Sequence, residues 1–272
     1  MEYIIERQHK FSLGLKELIQ YRELFYFFTW RDIKVKYKQA ALGFLWAILQ
    51  PLLMMLIFTL IFSKGLKVSS EGIPYPVFAL SGLIIWNIFS AGLLSSANSM
   101  VSNAGIIKKI YFPRLIIPMS SILTALFDFC FALLVYVGVI IWFGHATDWL
   151  RVLYCLPLSI LLTVFTTFGM GTFLAALNVK YRDFQYVIPF LIQFLLFVNP
   201  VLYSSKIFKD GILSLFMRLN PLANAINLSR SAFTGNSIDW EGVLYSFGVA
   251  MFIFFIGIYI FRKTESYFAD LA

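Results

Sequence analysis

The stretch 30-WRDIKVKYKQAALGFLWAILQP-51 places five charges between Arg31 and Lys38, and then no charge appears from Gln39 to Ser63. That is 25 uncharged, mostly apolar residues, enough at 1.5 Å each to cross the roughly 30 Å hydrocarbon core of a bilayer. The run reads as a membrane-spanning helix and the collar before it as a water-facing anchor. Composition extends the reading to the whole chain. Of 272 residues, 60% are hydrophobic and 13% charged, with a mean hydropathy of +0.81. A soluble domain carries roughly twice that charge fraction. The fold class expected is all-α integral membrane.

Six candidate spans follow, roughly Leu42–Phe62, Val77–Val101, Leu115–Phe143, Val152–Leu177, Val187–Tyr203 and Val243–Phe261. The third is longer than an upright helix needs and predicts a tilt. Gln50-Pro51 and Asn199-Pro200 predict kinks. With a cytoplasmic amino terminus, Lys and Arg divide 15 inside to 7 outside, which favours both termini inside. The segment 106-IIKKIYFPR-114 carries three of the inside bases and no acid. The first 38 residues lack a signal-peptide pattern, so the chain is expected to be mature from Met1.

Two segments are neither spans nor ordinary loops. Leu18 to Lys38 mixes Leu24, Phe25, Phe27, Phe28, Trp30 and Ile33 with bases, the pattern of a helix in the headgroup plane. Residues 1–38 are thus a cytosolic terminus with an interfacial amphipathic helix, and 39–272 a six-span domain. Within it, Ser204 to Trp240 holds two apolar stretches too short to span, divided by Asn220-Pro221 and ended by Gly235-Asn236. Two short helices dipping back from the outer side are expected there.

No phosphate-binding glycine loop, zinc-protease motif or Cys/His cluster is present, and no metal site is expected. Nothing in the chain is suited to hydrolyse ATP. Cys130 and Cys155 read as two buried thiols, and His9 and His145 lie too far apart to suggest ligands. The net charge of +8 suits anionic lipid, with no nucleic-acid partner expected. Asp128 is the intramembrane acid, the one formal charge well inside a span. No base inside a span can pair with it, so it reads as a neutral carboxyl, hydrogen-bonded near Thr124, or as a proton-coupling group. Thr163, Thr167, Gly171 and Ala175, four apart, form a small-residue stripe for close helix packing.

Four ordered pieces carry a resemblance: 30-WRDIKVKYKQAALGFLWAILQPL-52, 103-NAGIIKKIYFPRLIIP-118, 178-NVKYRDFQYVIPFLIQFLLFVNPVLY-203 and 220-NPLANAINLSRSAF-233. The chain resembles the permeases of ABC exporters of bacterial surface polysaccharides: O-antigen, capsule or teichoic acid. Ala40-Ala41 departs from the Ser or Thr expected there. The resemblance covers nearly the whole chain and implies a half-transporter in the bacterial inner membrane. It would pair with a second copy of itself and rest on two copies of an ATPase subunit that binds the ATP and Mg, with no cofactor in this chain.

Residues 103–114 would then be the cytosolic coupling helix, through Asn103, Ile106, Lys108, Lys109, Tyr111 and Arg114. Lys180, Tyr181, Arg182 and Asp183 would add a second ATPase contact. The 204–240 segment would form outer gate helices, marked by Asn199, Pro200, Asn220 and Pro221. The substrate would be a polysaccharide on a polyprenyl pyrophosphate anchor. Arg31, Lys34, Lys36 and Lys38 are the bases placed to attract the pyrophosphate, or to hold anionic lipid. Two other classes share part of the pattern: an ABC exporter of a drug or small lipid, and a proton-coupled carrier resting on Asp128.

Overall fold

This computed structural model describes residues 19–38, 43–66, 68, 70–181, 183–207 and 211–265. Residues 1–18, Ala40-Ala41 and Arg182 lie outside the described residues. Every regular element among those described is helical. In chain order they are α1 (Arg22–Lys38), α2 (Leu45–Phe58), α3 (Tyr75–Ser102), α4 (Ala104–Ile107), α5 (Ile116–Trp142), α6 (Trp149–Lys180), α7 (Phe184–Val198), α8 (Ile212–Leu219), α9 (Pro221–Thr234) and α10 (Trp240–Thr264).

Local sequence sets several boundaries. Asp148 caps α6 by accepting from the backbone N–H groups of Leu150 and Arg151. Asn220 caps α9 through Leu222 and Ala223, with Pro221 at the first helical position, where its missing donor costs nothing. Gly235 ends α9 at φ 74°, a left-handed conformation that glycine adopts without strain. The two short helices expected between Ser204 and Trp240 are thus α8 and α9, divided at Asn220-Pro221.

Among the described residues, five helices are long and apolar enough to cross a bilayer: Leu45–Ser63, α3, α5, α6 and α10. The sixth, α7, is apolar but has only 15 residues. It stops short of the predicted Tyr203 because Pro200 pushes Asn199 into an extended conformation (ψ 149°). Asn199-Pro200 therefore ends the helix instead of kinking it. The helical path continues past Pro51, and the departure from α geometry comes later, in a π-helical stretch over Thr59–Gly65. Cys155 is buried, whereas Cys130 lies on the outward face of α5 and is exposed, which corrects the expectation of two buried thiols.

The core is centred on α3, which packs against α5, α6, α9, α2 and α7 and is buried over most of its circumference. The small-residue stripe of α6 sets how closely it meets α3. A Cβ on Gly171 would lie 2.5 Å from Ser96 Oγ, and one on Gly92 would lie 3.0 Å from Thr167 Cγ2. Thr163, Thr167 and Ala175 are fully buried, so the packing role expected for the stripe holds. On its other side α6 meets α10 with backbone against backbone at Gly169 and Gly257.

Contact order gives the helix directions. Gly92 meets Thr167, Ser96 meets Gly171, and Asn178 Nδ2 donates to the Ala97 carbonyl; α3 and α6 therefore run parallel. Tyr154 stacks near Trp240 while Gly169 meets Phe254, so α10 runs parallel to them. The carboxyl ends of α3, α6 and α10 share one end of the bundle, and Arg114 donates to the Glu265 carbonyl there. The opposite end gathers Glu71, Arg151, Arg218, Arg230 and Asp239, and Arg151 donates to the Gly235 carbonyl at 2.7 Å.

Candidate functional site

A polar concavity runs along α3. Asn87, Ser90, Ser95, Asn98 and Ser102 fall within one face of that helix at 100° per residue. They line two adjoining cavities of about 420 Å³ and about 620 Å³. The cavities meet at Lys36, Ala91, Leu94 and Asp128, which line both. The combined groove follows α3 from Asn87 to Ser102 for about 22 Å, fifteen steps of 1.5 Å each. Its other walls are α1, α2 (Trp46, Gln50, Pro51), α5 and α7 (Pro189, Ile192).

α1 supplies the groove's cations by leaning on α5. The Phe28 ring lies 5.6 Å from Phe112, just before α5 begins. Further along, Lys36 forms an ion pair with Asp128, and the Tyr37 hydroxyl donates to the other carboxylate oxygen. Asp128 sits about 18 Å along α5. The base arrives from α1, outside the spans; the expectation that no base inside a span pairs with Asp128 is unaffected. Thr124 is not its partner; that hydroxyl donates to the Ser120 carbonyl. Burial, and then the bond to Asp128, hold the Tyr37 hydroxyl above the ordinary phenol range, so it remains a donor.

Arg31 also lines the groove, but its guanidinium is committed. It donates to Asp32 at 2.7 and 3.0 Å and to Asn103 Oδ1 at 2.7 Å, and it stacks over Phe28. Asn103 in turn donates to the Ser99 carbonyl, so Arg31 ties α1 to the end of α3 and the start of α4. Lys34 lies over the Trp30 ring and Lys38 is exposed at the end of α1; neither lines the groove. Of the four bases expected at an anion site, the structure brings Arg31 and Lys36 together.

The profile of the ABC-2 type transporter family matches residues 23–234. The chain belongs to that family. It is 32% identical over 245 residues to an O-antigen export system permease protein of Klebsiella pneumoniae, covering 89% of this chain and 92% of that one. It is 30% identical over 259 residues to an O-antigen export system permease protein of Myxococcus xanthus, covering 94% and 98%. A polysialic acid transport protein of Escherichia coli is 29% identical over 245 residues, covering 86% and 91%. This ABC-2 family member is a multi-pass membrane protein, and the relatives named are transport permeases.

The connection expected to couple to a partner is built as a tethered projection. Ile107 and Phe112 are buried and hold it, while Lys108, Lys109, Ile110 and Tyr111 point outward. Only Ala104–Ile107 is helical, so the coupling helix is shorter than 103–114; Ile106 is half-buried against the groove. Lys180, Tyr181 and Asp183 sit at the same end of the bundle, with Lys180 over the Tyr181 ring.

At the far end Asn220 Nδ2 donates to Asn199 Oδ1 at 3.0 Å, which joins the two Asn-Pro pairs. Beside them Arg230, only 3% exposed, donates to the Pro200 and Val201 carbonyls at 3.1 Å and stacks 3.7 Å from the Phe78 centroid. Burial pulls its guanidinium down to about 10, opposed by Glu71 and two tyrosines, and it stays cationic at neutral pH. Sequence reasoning counted Arg230 only as an outside charge and overlooked the polar face of α3. The first has a signal in its isolation within an apolar segment, the second in its helical spacing.

Proposed function

We propose that this chain is the transmembrane subunit of an ATP-driven exporter that moves polysaccharide, carried on a polyprenyl pyrophosphate anchor, across the bacterial inner membrane. The observation that carries the reading is the polar groove along α3. A polar face about 22 Å long is costly against hydrocarbon, but it suits a path for sugar hydroxyls and water. Lys36 at the junction of the two cavities gives it affinity for the anionic anchor. The similarity to O-antigen and polysialic acid transport proteins supports the polymer class.

In this reading the groove is half of a conduit, closed by a second copy of the chain. The family's energy source is a separate ATPase subunit, with ATP and Mg bound there. Lys108, Lys109, Ile110 and Tyr111 are its docking surface, with Lys180, Tyr181 and Asp183 beside them. Both termini are cytoplasmic, and α1 runs alongside α5 from Phe112 to Asp128. Closure of the ATPase pair would push on residues 103–114, and Arg31 would pass the movement to α1. At the other end α8 and α9, hinged at Asn199-Pro200 and Asn220-Pro221, would act as the outer gate.

The test is affinity purification from native membranes. An ATPase and a polyprenyl-linked glycan should co-purify, and Lys108→Glu with Lys109→Glu should lose the ATPase while the permease stays folded. Nucleotide hydrolysis by the purified chain alone, or retention of the ATPase by the double variant, would overturn the reading.

A further inference from the structure

We infer that Asp128 is a specificity-determining counter-ion: it occupies Lys36 in the empty groove and yields it only to a lipid pyrophosphate headgroup. The inference rests on the reading that the groove receives an anionic lipid-linked substrate, and it adds the means by which uncharged lipids are refused. Lys36 and Asp128 stand at the junction of the two cavities, where anything moving along the groove must pass.

The pair is built unevenly. The Lys36 side chain is 47% exposed and Asp128 20%, so the ammonium is open to the groove while the carboxylate is held back. Lysine is a point charge with three donors and can change acceptors without a fixed geometry. A partly exposed single pair of this kind is weak, and a pyrophosphate with several charged oxygens outcompetes one carboxylate. Asp128 is not stranded when Lys36 leaves, because the protonated Tyr37 hydroxyl still donates to it. Arg31 cannot make the same exchange, since Asp32 and Asn103 both hold it. An uncharged lipid such as farnesol offers Lys36 only a neutral acceptor, and the Asp128 pair stays closed.

The experiment uses the full chain in phosphatidylcholine nanodiscs. Equilibrium binding of farnesyl pyrophosphate is measured beside farnesol, inorganic pyrophosphate and phosphatidylglycerol. Asp128→Asn should bind farnesyl pyrophosphate about threefold tighter or more. Lys36→Gln should bind it about tenfold more weakly, and the double variant should match Lys36→Gln. Farnesol binding should not respond to either change. Inorganic pyrophosphate should follow the same order.

Weaker binding in Lys36→Gln with unchanged or weaker binding in Asp128→Asn overturns the counter-ion role and leaves the groove reading standing. No response to either substitution overturns both. Equal gains for farnesol and farnesyl pyrophosphate overturn the inference as a packing effect. Displacement of farnesyl pyrophosphate by equimolar phosphatidylglycerol assigns the site to bulk lipid and overturns it too. Should Asp128→Asn fail to fold, the exchanged pair Lys36→Asp with Asp128→Lys restores the ion pair. It should lose farnesyl pyrophosphate binding, because the exchange sets the carboxylate open to the groove and the ammonium behind it, and a folded exchange variant that binds as well as the unaltered chain overturns the inference.

Discussion

Replacing Gly257 by alanine should separate α6 from α10. The added methyl would sit 2.0 Å from the carbonyl oxygen of Gly169 and 2.7 Å from its carbon. An ordinary carbon-to-oxygen contact is about 3.3 Å or more, so the helices must part by about 1.3 Å. No rotamer change relieves this, because the obstacle is backbone. A gap of that size forfeits a large part of the dispersion contact between the facing side chains, here Phe165 and Phe168 against Phe247 and Phe254. Overpacking costs typically 1–3 kcal/mol, and the rigid contact puts this case at about 3.

Gly248 lies on the same helix with nothing within 4 Å of an added Cβ. Gly248→Ala should gain about 0.5–1 kcal/mol from helix propensity. The assay follows thiol labelling of Cys155, buried on α6, during a temperature ramp in a Cys130→Ser background. At about 2–4 °C per kcal/mol, Gly257→Ala should lower the labelling midpoint by about 6–12 °C, while Gly248→Ala leaves it level or raises it. Indistinguishable midpoints for the two variants would refute the close-approach argument.

Arg230→Lys keeps the charge but loses the planar stack on Phe78 and the paired bonds to Pro200 and Val201. It should destabilise the end around α9 by about 2–3 kcal/mol, read as earlier thermal aggregation of the purified protein. Asn224 Nδ2 lies within hydrogen-bond reach of the Met217, Arg218 and Asn220 carbonyls and of Ser246 Oγ. Asn224→Ala should loosen α8 from α10 and speed amide exchange over 212–219 relative to α3. Ser95→Trp places a large ring in the groove without touching the core, since Ser95 is exposed. Export of surface polysaccharide in a complemented strain should fall at least about tenfold, an effect of about 1.4 kcal/mol, with protein level unchanged.

Much was legible from sequence because a bilayer imposes one-dimensional rules. Span length, cap residues and Asn-Pro breaks are local, so α5, α6, α9 and the division at Asn220-Pro221 follow from the order of residues alone. The stripe of Thr163, Thr167, Gly171 and Ala175 announces close packing through small size at helical period. Family membership, too, resides in ordered motifs along the chain. What needed tertiary structure was every fact about partners from distant elements. Asp128 looked unpaired because its cation comes from a helix 92 residues earlier. Asn199 meets Asn220, Arg31 meets Asn103, and Gly169 meets Gly257 only when helices pack. Backbone hydrogen bonding inside a membrane is satisfied within each helix, so it leaves a trace in local sequence. The pairing of charges and the width of a groove depend on which faces of separate helices come together, and no single segment contains that information.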